Sequence, residues 1–252
     1  MRWLVCNVGT LVILISGTAA FAQDPCPCAP PPVAPPIWTG ALSFGFGLTS
    51  GNSNTRNLNF AFDIMRDAKT KHVFKADALY LWSSLEGEDT ANRLGFDARD
   101  EYKLSDRAYL FVQGQYLRDP FKAIDYLIAP TGGIGYKVVD TEALKFSVDG
   151  GAGATWEKNP GLDVRTYGAI TADEELKYAF SKTASFTHSA AALWKANDFG
   201  DALYTIGAGL SASLTTRTTM KFGVLDTYKS KPPDVTIKKN DVALLLAVGY
   251  KF

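Results

Sequence analysis

The sequence is poor in the residues that most often carry chemistry. It holds two histidines and three cysteines in 252 residues. Two histidines leave little room for a histidine-based metal centre or a catalytic triad. Three cysteines do not make a disulfide scaffold in a chain of this length. A prevailing charge is also missing, because 26 Lys and Arg balance 26 Asp and Glu. No global field therefore points to nucleic acid. Beyond the N-terminus no apolar run is long enough for a membrane helix. That excludes helical spans and leaves a soluble protein or a strand-built membrane protein. Disorder is excluded by composition, which is 46% hydrophobic and 12% aromatic.

What is present begins with an address. Arg2 precedes an uncharged, mostly apolar run from Leu4 to Ile15, and Ala20-Phe21-Ala22 fits a small-x-small cleavage box. This is the layout of a secretory signal peptide over residues 1–22, with the mature chain starting at Gln23. Residues 23–37 hold Pro25, Pro27, Pro30, Pro31, Pro32, Pro35 and Pro36. Such a segment is an extended, semi-rigid linker, because proline fixes φ and removes a backbone donor. Cys26 and Cys28 lie in it and could form a disulfide in an oxidising compartment. Cys6 leaves with the signal peptide, and none of the three is expected to be essential.

From Trp38 to Phe252 the pattern has period two. Leu42, Phe44, Phe46 and Leu48 alternate with Ala41, Ser43, Gly45 and Gly47. Leu58, Phe60, Phe62 and Ile64 alternate with Asn57, Asn59, Ala61 and Asp63, and similar stretches recur to the C-terminus. Successive strand side chains point to opposite faces, so one face is apolar and the other small, polar or charged. The alternation lasts roughly ten residues or more, the length a tilted strand needs to cross a bilayer. We expect about twelve strands, starting near Trp38, Thr55, Lys71, Asn92, Arg107, Asp125, Ala143, Val164, Thr183, Asp201, Thr218 and Asn240. Tight connections near residues 67–70, 104–107, 140–142, 181–183 and 216–218 alternate with segments expected to be longer loops, at 50–54, 83–91, 119–124, 157–163, 195–200 and 228–239. Short turns on one side and longer loops on the other suit an outer-membrane barrel with both termini on the periplasmic side. The expected fold is all-β: a monomeric transmembrane antiparallel up-and-down barrel over residues 38–252.

The C-terminus agrees. Phe252 ends the chain, with Tyr250, Val248, Leu246, Leu244 and Val242 on the same face. Tyr250 and Phe252 thus resemble the terminal signal that the barrel assembly machinery of Gram-negative bacteria reads. Several segments together resemble the salt-induced outer-membrane protein family, the YdiY-like β-barrels. They are Trp38-Thr39-Gly40, Leu48-Thr49-Ser50-Gly51-Asn52-Ser53-Asn54-Thr55, Tyr102-Lys103-Leu104-Ser105-Asp106-Arg107, Tyr116-Leu117-Arg118-Asp119 and Gly133-Ile134-Gly135-Tyr136. The resemblance implies location, fold and a link to salt stress. It implies no enzyme activity, and it does not cover the Pro-rich linker.

Some residues break the alternation. Asp100, Glu174 and His188 fall on the apolar face, and Pro130 falls in mid-strand, where a bulge is expected. A lipid-modifying enzyme would need a nucleophile and base in contact. His188-Ser189 is the one tempting pair, but neighbours along a strand face opposite sides. The acidic runs Glu86-Gly87-Glu88-Asp89 and Asp173-Glu174-Glu175 read as solvated faces, and no metal or cofactor is expected. The candidate lumen lining is Asp63, Lys75, Asp77, Arg93, Asp97, Arg99, Glu101, Lys145, Asp149, Arg165, Asp173, Glu175 and Lys177. Both signs are interspersed, which argues against strong selectivity for one ion sign. The expected partners are outer-membrane lipid, the assembly machinery and a small polar solute, with no nucleic acid. The leading expectation is a narrow, porin-like pore or solute-binding barrel. A plugged structural or stress-response barrel, and then a lipid-modifying enzyme, stand as alternatives.

Overall fold

A computed structural model describes residues 36–49, 55–234 and 236–252. The signal peptide assigned to 1–22, Cys26 and Cys28, most of the 23–37 linker and the expected loop 50–54 lie outside the described residues.

Among the described residues the chain forms twelve strands. They are β1 (Trp38–Thr49), β2 (Thr55–Asp67), β3 (His72–Leu85), β4 (Glu88–Lys103), β5 (Ala108–Asp119), β6 (Ile124–Asp140), β7 (Leu144–Lys158), β8 (Arg165–Ala179), β9 (Ala184–Lys195), β10 (Asp198–Ser213), β11 (Thr218–Lys229) and β12 (Asn240–Lys251). Every strand pairs antiparallel with its sequence neighbours, and β1 pairs with β12 to close the barrel. The C-terminal residue completes that seam. Gly40 N–H donates to the Phe252 carbonyl at 3.2 Å, and Phe252 N–H returns a bond to Gly40 at 3.1 Å. The paired part of this seam runs from Ala41–Lys251 to Phe44–Val248.

The orientation of the wall follows from two sets of observations. Side-chain contacts between strands that are not neighbours must run through the interior. Arg99 of β4 reaches Asp149 of β7, and Lys221 of β11 reaches Asp63 of β2. Both lie on the polar face of the alternation, so that face is the inside. The opposite face carries Phe44, Phe46, Val112, Phe222, Leu244 and Leu246, and all are exposed, Leu244 at 72%. An exposed apolar band around a closed barrel is the inverse of a soluble core.

Two expectations about the connections are corrected. The loop expected over 83–91 is a tight turn, because β3 and β4 stay paired as far as Leu85 and Glu88. Glu86 and Gly87 have φ of 53° and 89°, the geometry of a two-residue hairpin. The loop expected over 195–200 also shrinks, because Lys195 already pairs with Asp198. Polar residues continue both ladders past the end of the apolar pattern, and backbone pairing does not need apolar side chains. Nor does Pro130 mark a bulge. It keeps register with Gly114, and the pairs Ile128–Trp156 and Thr131–Gly153 on its other side stay in phase.

Glycine shapes the wall at two seams. A Cβ at Gly133 or Gly153 would collide with backbone across the β6–β7 seam, and one at Gly45 would strike the Leu246 carbonyl of β12. These close approaches require glycine.

Candidate functional site

The interior divides into two halves. In the half near the short turns it is charged. Arg99 sits at its centre: it pairs with Asp149 at 2.6 Å and Glu101 at 3.1 Å, and it donates to Gln113 at 2.9 Å. Its guanidinium stacks 3.9 Å from the Phe111 ring centroid, and Tyr109 donates to Asp149 at 3.1 Å. Lys75 adds a 2.8 Å pair to Glu101, and Lys221 lies 3.6 Å from Asp63. Gln113 donates to Asp97 at 3.3 Å.

The register then stacks carboxylates on one another. Asp63 is opposite Asp77, and Asp77 is opposite Asp97, so three aspartates from β2, β3 and β4 form one row. Asp149 faces Asp173 in the same way. Like charges directly opposite in a ladder are destabilising. Asp77, Asp97, Asp173 and Glu175 have no cationic partner among the described ion pairs. The two signs expected to be interspersed are thus unevenly used: Arg99, Lys75 and Lys221 are taken up by pairing, and the carboxylates exceed them.

The remaining expected lining residues lie toward the rims. Lys145 pairs with Asp140 at 2.6 Å by a short turn, and Lys177 stands opposite it in register. Arg165 opens β8 at the loop end, exposed and opposite Glu157. Arg93, deeper in the loop half, donates across the interior to Thr227 of β11.

That loop half was not legible as a site. Glu157, at 1% exposure, binds Lys229 of β11, Lys195 of β9 at 3.4 Å and the Tyr167 hydroxyl at 2.7 Å. Lys195 also pairs with Asp201. Asn159 joins Glu157 at 3.2 Å to the Ala123 carbonyl at 2.7 Å. Ala123 ends a short 3-10 turn (Pro120–Lys122) whose last residue is fully buried. The Lys122 ammonium donates to the carbonyls of Lys238 and Lys239 at 3.0 and 2.8 Å and pairs with Asp241 at 2.9 Å. It therefore ties the β5–β6 connection to β12, on the far side of the ring.

Beneath these contacts Leu117, Ile124, Leu127, Leu193 and Leu203 pack as an apolar cluster on the inner face. The lumen was expected to be small and polar throughout, and here it is filled. The signal that could have revealed Glu157 and Lys229 is phase: each lies an even number of residues from Asp149 and Lys221 in its own strand. Nothing in the sequence marks Lys122 for burial.

The outer face keeps the residues that broke the alternation. Asp100 accepts or shares a proton with His72 at 2.8 Å, and Glu174 does so with His188 at 3.0 Å. Ser189 stands opposite Gly207 on the other face of β9, away from His188. Among the described residues no His, Cys, Asp and Glu group suited to a metal ion is found.

Comparison with known proteins agrees in fold. The family model described as a protein of unknown function, DUF481, matches residues 42–252. No curated protein matches the chain. An outer-membrane channel from Pseudomonas putida F1 is similar in structure at 13% identity and a TM-score of 0.50, over 89% of this chain and 100% of that one. The NanC porin matches at 11% identity and a TM-score of 0.47, over 84% and 96%. At such identities the likeness is one of fold.

Proposed function

The chain belongs to the DUF481 family, and we propose that it is an outer-membrane channel for small polar solutes, cation-preferring and stoppered at its loop end. The observation that carries this reading is the inverted barrel: an exposed apolar wall encloses a charged interior. The wall fits lipid. The short-turn half fits a solvated passage, and the row Asp63, Asp77, Asp97 favours cations there. Export through the N-terminal leader would place the termini and short turns in the periplasm, and the YdiY-like resemblance points to salt stress as the condition of use.

The contacts around Lys122 and Glu157 cross the interior and support a stopper at the loop end. Opening needs the 3-10 turn to leave the lumen. The same contacts favour the second reading, a permanently plugged structural barrel. Lys122→Ala separates the two. Removing the ammonium frees the turn from β12, so single-channel recordings in a planar bilayer should show larger or more frequent openings than wild type. If both proteins are folded and both remain silent, the plugged barrel stands and the channel falls.

A further inference from the structure

The outer wall carries a groove of about 600 Å³ that the channel does not use. It follows the ladder across five strands, through the row Phe74, Asp100, Val112, Gly132 and Ala152. Gly114 and Pro130, paired in the adjacent row, complete its floor. Gly114, Gly132 and Ala152 bring no large side chain to the floor, and a Cβ at Gly114 would meet nothing within 4 Å. The floor is therefore open at Gly114, beside Val112, and the lining is mainly apolar.

Its lower end is polar, and both signs are present. Asp100 lies three residues inside the short-turn end of β4. One carboxylate oxygen meets His72 Nδ1 at 2.8 Å, and the other has no partner among the described residues. Tyr102 stands beside them, its ring 5.2 Å from the His72 ring and 5.5 Å from the Lys71 ammonium. A carboxylate on a lipid-facing wall is costly unless something meets it. Lys71 does not pair with it and stays exposed at the turn.

We propose that this groove binds one glycerophospholipid with a primary-ammonium headgroup, of the phosphatidylethanolamine type. One acyl chain lies along Gly114, Pro130 and Gly132. The ammonium donates to the open oxygen of Asp100, and the phosphate faces Lys71 and the outer nitrogen of His72. A choline headgroup has no N–H to donate, and a glycerol headgroup brings no cation to Asp100. The inference rests on the membrane placement proposed above, which puts the short-turn rim at the periplasmic leaflet, where glycerophospholipids lie.

The test uses the full mature chain in nanodiscs of equal phosphatidylethanolamine, phosphatidylcholine and phosphatidylglycerol, followed by native mass spectrometry after detergent extraction. Wild type should retain one phosphatidylethanolamine. Asp100→Asn should cut that preference about fivefold, as expected for one partly exposed charged contact. Gly114→Leu should expel the lipid by filling the floor, with the strand signal in circular dichroism unchanged. Equal retention by wild type and Gly114→Leu, or an unchanged preference in Asp100→Asn, overturns the site. Conductance recorded on the same samples keeps the two readings apart. A conducting barrel that retains no lipid loses only the groove, and a barrel that retains it but is silent even as Lys122→Ala loses only the channel.

Discussion

At the residue scale, Glu157 holds the loop half together. It is the shared acceptor of Lys229, Lys195, Tyr167 and Asn159, and it is almost fully buried. Removing one partner of a buried pair leaves an uncompensated charge, which costs about 3–5 kcal/mol. Glu157→Gln should therefore lower unfolding stability by about 3 kcal/mol in a urea titration of the refolded barrel. Adding Lys229→Met should recover part of the loss, because the stranded ammonium is gone. A loss under about 0.5 kcal/mol in the single variant would show that the network does not bear on stability. Single residues were legible in the sequence where the alternation was clean. Asp63, Asp77 and Asp97 share one row of the ladder, and Arg99 meets Asp149 on the same face. Glu157 and Lys195 were missed because the apolar partner face had already faded at Trp156 and Trp194, so the strands were ended too early. Lys122 follows no period, and its burial is set by a connection folding inward.

At the scale of the element, ten of the twelve strands begin within about one residue of where the periodicity placed them. The two exceptions, β4 and β10, start earlier, at Glu88 and Asp198. Both follow two-residue turns and open on polar residues, Glu88-Asp89-Thr90 and Asp198, and a polar start looks like loop when only side chains are read. The last strand makes a sharper prediction. β12 closes the ring through Phe252, and its outer face carries Val242, Leu244, Leu246, Val248 and Tyr250. Deleting Phe252 removes the paired bonds with Gly40 and the terminal aromatic together. The fraction of protein reaching the membrane in folded form should fall several-fold in fractionated cells, while a Phe252→Tyr variant should assemble like wild type. Equal assembly of the deletion would remove any role for the terminal residue.

At the scale of the molecule, closure, inversion and charge act together. The wall is apolar outward because lipid is the solvent it fits. The interior is charged in the short-turn half, around Arg99, and packed with apolar side chains in the loop half. The fold class was legible for that reason: period-two alternation sustained beyond ten residues has few other solutions. What the lumen does was less legible. The sequence shows which charges face inward, but not that Arg99 is taken up by Asp149 and Glu101 while Asp77 and Asp97 are left over. In the proposed channel, selectivity depends on that surplus of carboxylates, not on the composition. Asp97→Asn should reduce cation preference, and Arg99→Glu should raise it, by removing the one strongly held positive charge at the centre.

The most direct measurement is the reversal potential of the refolded protein in a planar bilayer under a KCl gradient, for wild type and Asp97→Asn side by side. The account predicts stepwise currents that reverse on the cation side for wild type and closer to zero for Asp97→Asn. Silence of folded wild type and folded Lys122→Ala alike, or currents whose reversal potential is the same with and without Asp97→Asn, would contradict it.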